Sequence, residues 1–169
     1  MYSRRNHYII FTSSFVAANP GAGAWASAVY DSQSKENKTL KRYSKFHTGT
    51  TPNFLDIEAI VETAKAFRSG IDLTFVHNSN YLNNVITKWI FIWEDTDFLT
   101  KQGKPISNSE LVKALSKLRK KRNLEFVFVD RKEKPVYTQM VNEQAKLYTL
   151  SNLDKISPAE TLSRINKSP

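Results

Sequence analysis

Hydrophobic positions in this chain recur with two different periods, and the change from one to the other lays out the elements. His7–Phe15 (HYIIFTSSF) and Ala24–Asp31 (AWASAVYD) are rich in β-branched and aromatic residues and are separated by Asn-Pro-Gly-Ala-Gly. That combination predicts two strands joined by a turn. Thr39–Gly49 sets Leu40, Tyr43 and Phe46 among polar residues, as a half-exposed third strand would, and the three runs suggest an antiparallel meander. After Thr-Thr-Pro-Asn the period becomes helical, with Leu55, Ile57, Ile60, Val61, Ala64 and Phe67 on one stripe and Ser69-Gly70 as the stop. Ile71–His77 returns to strand character, so a strand, a helix and a strand follow one another and call for a parallel pair with a right-handed crossover.

Tyr81, Leu82, Val85, Ile86, Trp89 and Trp93 form the apolar stripe of a second helix whose first turn is rich in amides. A third helix has Leu111, Val112, Leu115 and Leu118 facing inward and Lys113, Lys117, Lys120 and Lys121 facing out. Leu124–Asp130 predicts the last strand and Val136–Leu150 the closing helix. Residues 1–150 are read as one domain, and 151–169 as a Ser-, Asn- and Pro-rich tail. Within the tail, Ser157, Pro158 and Glu160 have the spacing of a capped short helix.

Composition narrows the function. The 169 residues are 40% hydrophobic and 12% aromatic, which excludes a disordered chain. Cysteine is absent, so no disulfide framework, thiolate metal site or cysteine nucleophile exists. No run approaches the roughly 18 apolar residues of a membrane span, and the apolar run at the N-terminus is too short for a secretory signal. An intracellular protein, cytoplasmic or nuclear, is expected, with no membrane partner. Lys and Arg number 25 against 16 Asp and Glu, a formal charge of +9, which suits a polyanionic partner because phosphate contacts release condensed counterions.

Element order and wording together resemble the type I ribonuclease H family. Phe11–Val29 resembles that family's opening FTDGS…NPGPGG strand pair, Thr50–Phe67 its T-x-N-R-M-E-L-x-A helix, and Leu73–Ile90 its T-D-S-x-Y-V…I-x-x-W segment. Phe126–Ala145 resembles the V-x-G-H…N-x-x-x-D-x-L-A close. The resemblance covers His7 to Leu150 and implies an α/β ribonuclease H-like fold: a five-stranded mixed sheet, three strands antiparallel and two parallel, flanked by helices.

The family's chemistry, as the resemblance implies it, uses four acids around two Mg²⁺ ions. Carried over position by position, those acids fall on Ser13, Asp56, Asn78 and Asn142, and the catalytic-loop His falls on Lys132. One carboxylate is a poor trap for two dications. The expectation is therefore a catalytically inactive domain with no metal and no cofactor. Glu58 and His77 lie close in sequence but are expected to point elsewhere, whereas Asp130 and Glu133, in the loop near Lys132, could approach the site.

The family's hybrid-gripping positions fall on Asn19, Thr51, Asn53, Asn80 and Asn84, each of which also suits a turn or cap. Trp89, Trp93 and Phe98 match the aromatic part of a basic protrusion, but Glu94, Asp95 and Asp97 replace its basic run. The strongest basic cluster is Arg119, Lys120, Lys121 and Arg122, which also suits a helix C-terminus. Two functions stay open: a nucleic-acid-binding module for RNA or RNA/DNA hybrid, or a protein-interaction domain with a vestigial site.

Overall fold

A computed structural model of the chain describes residues 6–36, 38–133 and 135–155. Five strands, β1 (His7–Val16), β2 (Gly21–Asp31), β3 (Lys41–Thr50), β4 (Asp72–His77) and β5 (Leu124–Phe128), form one sheet in the order β3-β2-β1-β4-β5. The β1–β2 and β2–β3 pairs are antiparallel, and β1–β4 and β4–β5 are parallel. This is the ribonuclease H-like architecture expected from the resemblance. The β1–β2 turn holds a cis Asn19–Pro20 bond. Gly23 is required where the pair is tightest, because a Cβ there would lie 2.6 Å from the Phe15 carbonyl oxygen.

Helices cover both faces. On one face, α1 (Pro52–Lys65) and α4 (Ser109–Lys121), with the segment that follows β4, bury Ile57, Ile60, Val61, Leu82, Ile90, Val112 and Leu115 against Ile10, Val29, Leu73 and Phe75. On the other, α5 (Val136–Leu153) lays Val141 and Ala145 on Ala26, Ala28 and Tyr30, with Phe11, Phe15 and Tyr137 packed around them. Neighbouring β1 residues thus serve opposite layers: Ile10 faces α1 and Phe11 faces α5, as the strand period requires.

Several boundaries differ from the sequence reading. β3 begins at Lys41, and Leu40 stays more than half exposed ahead of it. The helix expected around Tyr81–Trp93 is interrupted: α2 (Asn80–Asn84) passes into a π-helical stretch, Val85–Trp89, before α3 (Ile90–Asp95). Trp89 packs between Tyr81 and Trp93 with centroid separations of 5.8 Å to each, so the aromatic pair belongs to the core margin. α5 continues to Leu153, and the capping sequence at Ser157–Glu160 lies outside the described residues.

A buried polar joint seats α1 on the sheet. Glu58, 4% exposed, accepts hydrogen bonds from Trp25 Nε1 on β2 (2.9 Å) and from Lys45 Nζ on β3 (2.9 Å), and meets His47 Nε2 at 2.6 Å. Burial pushes the Glu58 carboxyl up, but the hydrogen bonds from Lys45 and His47 outweigh it and hold the group below its usual 4.5. An acid depressed in the fold contributes stability that is present above its unfolded value and lost as pH falls through the folded one. Thermal melts should therefore show Glu58→Gln less stable than wild type at neutral pH. The gap should narrow below pH 4.5; a constant gap across the acid range would contradict this.

Candidate functional site

The parallel register of β1 and β4 runs from His7↔Asp72 to Phe11↔Val76 and then stops. Beyond it β1 continues to Val16 beside β2 alone, while β4 ends at His77 and the chain turns away. Parallel strands that part at their carboxyl ends leave a crevice. Here the crevice is a cleft of about 620 Å³ whose walls include Ser14, Pro52, Asn78, Arg131, Gln139 and Asn142.

The pleat decides which hydroxyl meets which partner. Ser13 shares the α5 side with Phe11 and Phe15, and its Oγ accepts from Asn142 Nδ2 at 3.0 Å. The same amide donates to the Ser14 carbonyl at 3.0 Å, which pins α5 to β1. Ser14 points the other way and donates from Oγ to Asp56 Oδ1 at 2.6 Å. The structure therefore joins Ser13 with Asn142 and Ser14 with Asp56, and Ser14 is a residue the position-by-position carry-over passed over. Strand alternation was the available signal.

Burial, the largest effect, raises the Asp56 carboxyl above its usual 3.8; the hydroxyls of Ser14 and Ser79 and the charge of Arg131 pull it back only partly. His77, fully buried next to the site, is pushed down to about 4 by burial and is neutral at pH 7, with Nε2 lacking a partner. Glu58 is held in its joint and His77 in the core, so neither enters the cleft. On the loop before α5, Arg131 Nε donates to the Asn78 carbonyl at 3.2 Å and the residue lines the cleft. Lys132 is exposed, its backbone N–H bound to Asp130 Oδ1 (2.9 Å), and it is not part of the cleft wall. Glu133 is likewise exposed.

Asn19 is exposed in the β1–β2 turn, Thr51 caps α1 by accepting from the Phe54 N–H, and Asn53 is exposed in the first turn of that helix. Asn80 is exposed at the start of α2 and Asn84 is half-buried at its end. The basic cluster is divided. Arg119 donates to the Ile86 carbonyl at 2.9 Å and lies over Phe91 and Phe126, and Arg122 donates to the carbonyls of Ala64 and Phe67 at the end of α1. Lys120 sits 3.9 Å from Glu94, and Lys121 is exposed.

A family model for RNase H matches residues 5–147, and the chain belongs to that family. Ribonuclease HI of Haemophilus influenzae is 28% identical over 151 residues, covering 87% of this chain and 95% of the relative. Ribonuclease H of Agrobacterium fabrum is 32% identical over 109 residues, or 64% of this chain and 71% of the relative. Among solved structures, LC9-RNase H1 superposes with a TM-score of 0.74 at 13% identity over 97% of this chain and 87% of that one. LC11-RNase H1 in complex with RNA/DNA hybrid gives 0.56 at 20% identity over 82% and 95%.

These findings correct the expectation of an inactive domain, and with it the alternative of an interaction domain with a vestigial site. The curated relatives, matched over most of their length, carry the name of an enzyme. The donor set is a separate matter. Of Ser13, Asp56, Asn78 and Asn142, Asp56 alone is a carboxylate, and among the described residues no three His, Asp or Glu side chains group where they could hold a metal ion. The residues present do not fit a pair of divalent cations.

Two stability outcomes follow. A carboxyl raised by burial penalises the fold once ionised, so Asp56→Asn should melt higher than wild type at pH 7, with the advantage shrinking as pH falls toward the acid range. A lower melting temperature at pH 7 would contradict it. Arg122→Gln should cost roughly 1–3 kcal/mol in urea unfolding, because it strips a charged donor from the α1 carbonyls; an unchanged midpoint would show those bonds contribute nothing.

Proposed function

We propose that the chain is a hybrid-directed ribonuclease: it takes an RNA/DNA hybrid in the cleft between β1, β4 and α5 and hydrolyses the RNA strand. The observation that carries this reading is the family match over residues 5–147, with relatives named for the activity. Complexes of LC11-RNase H1 and of a foamy viral protease-reverse transcriptase with RNA/DNA hybrid, both similar in fold to this chain, support the choice of ligand. The bacterial sources of the curated relatives support a cytoplasmic setting over a nuclear one.

Amides and hydroxyls line the cleft at Ser14, Asn78, Gln139 and Asn142, and such groups match ribose hydroxyls and phosphate oxygens. Asp56 lies behind Ser14 and accepts its proton, so a base is coupled to the cleft through one hydroxyl. In the hydrolysis, a water oxygen bonds to phosphorus and the bond from phosphorus to the leaving ribose oxygen breaks. The water proton passes through Ser14 to Asp56, and solvent protonates the leaving oxygen.

The test is an end-labelled RNA strand annealed to DNA, incubated with the full chain in Mg²⁺ and in Mn²⁺, beside single-stranded RNA and duplex DNA. RNA fragments should arise from the hybrid, and Asp56→Asn should slow their formation by about 10²-fold or more. An intact RNA strand in a hybrid that is demonstrably bound would overturn the nuclease reading.

A further inference from the structure

The cleft's electrostatics differ from those of a cation site. Its lining carries the hydroxyls of Ser14 and Thr138, the amides of Asn78, Gln139 and Asn142, and the exposed Glu143; among the described residues its one cationic side chain is Arg131. Among the described residues Arg131 is anchored through one nitrogen, the Nε that donates to the Asn78 carbonyl at 3.2 Å. Among the described residues no carboxylate lies within 4.0 Å of it, whereas Lys45, Lys65, Lys113 and Lys120 each have one. Arg119 and Arg122, by contrast, give their terminal nitrogens to backbone carbonyls inside the fold. Arg131 thus keeps two terminal nitrogens, the fork that matches two phosphate oxygens.

The geometry points to Arg131 as the cation that holds the phosphodiester in this cleft, in the place where a divalent metal pair does not fit. This rests on the reading that RNA/DNA hybrid is the ligand. The donors of Ser14 and Asn142 are already committed, to Asp56, to Ser13 Oγ and to the Ser14 carbonyl, so the anionic oxygens fall to the guanidinium, with the amides of Asn78 and Gln139 lining the same cleft. The Nε anchor to the Asn78 backbone sets the guanidinium without neutralising it. Because Arg131 is exposed and, among the described residues, bound to a backbone oxygen alone, its replacement leaves the core untouched.

The experiment measures hybrid affinity of the full chain in excess EDTA and in Mg²⁺, for wild type, Arg131→Gln, Arg131→Lys and, as a distant control, Lys117→Gln. Wild-type affinity should be the same in both buffers to within about twofold. Arg131→Gln should weaken it by about tenfold or more and lower the salt slope by about one contact. Arg131→Lys should keep the slope but recover only part of the affinity, since an ammonium makes no paired contact. Lys117→Gln should leave affinity in place. Binding that needs Mg²⁺ and ignores Arg131→Gln would overturn the assignment while leaving the hybrid reading intact. A chain with no affinity for hybrid in either buffer would sink both.

Discussion

The parting of β1 from β4 is the constraint on which the rest of the molecule depends. The two strands run parallel for five paired positions, with β1 also bound antiparallel to β2 on its other side. β1 therefore stays in the sheet after β4 leaves it, and its last residues present alternate side chains to a gap instead of to a neighbour. The Asn142 amide fixes the width of that gap on one side by spanning Ser13 and Ser14. Asp56 fixes the other through Ser14, and α1 carries it there because Glu58, two residues on, is locked to Trp25, Lys45 and His47. The cleft is a by-product of sheet topology, held open by side-chain hydrogen bonds from both layers.

Charge is distributed with a similar division of labour. A formal charge of +9 invites the picture of a uniformly sticky surface, but the strongest contiguous run is partly absorbed into the fold. Arg122 satisfies carbonyls that the end of α1 would otherwise leave to solvent, and Arg119 takes one within the π-helical stretch. Burial lowers the Arg119 pKa from its usual value, as expected of a guanidinium shielded between rings, with Glu94 opposing the shift. What remains for a ligand is set by which cations have no internal task, and sequence position alone does not reveal that.

Much of the fold was legible because each element announced its period. Ile57, Ile60 and Val61 marked α1 by spacing, and Asn-Pro-Gly marked the turn after β1. The π-helical stretch at Val85–Trp89 was not legible, since one extra residue per turn barely disturbs an apolar stripe read by eye. The site was legible as a set of positions and not as a set of bonds. Ser13 was matched to the family's first acid, yet strand alternation gives Asp56 to Ser14 and leaves Ser13 to Asn142. Lys132 was the charged residue aligned with the loop, but the three-residue turn at Arg131–Glu133 aims its predecessor at the cleft. The proposed activity rests on kinship with relatives named ribonuclease H and not on a count of acids.

The joint at Glu58 has one further consequence. Of the three tryptophans, Trp25 is the one sealed from water, at 3% exposure, and its indole nitrogen is tied to the Glu58 carboxylate. The other two sit half-buried together on the far helical segment. An indole in a dry pocket against an ionised acid emits differently from one at a wet margin, so the protein contains its own optical gauge. The emission of Trp25 registers whether the helix bearing Asp56 is seated on the sheet, with no label attached.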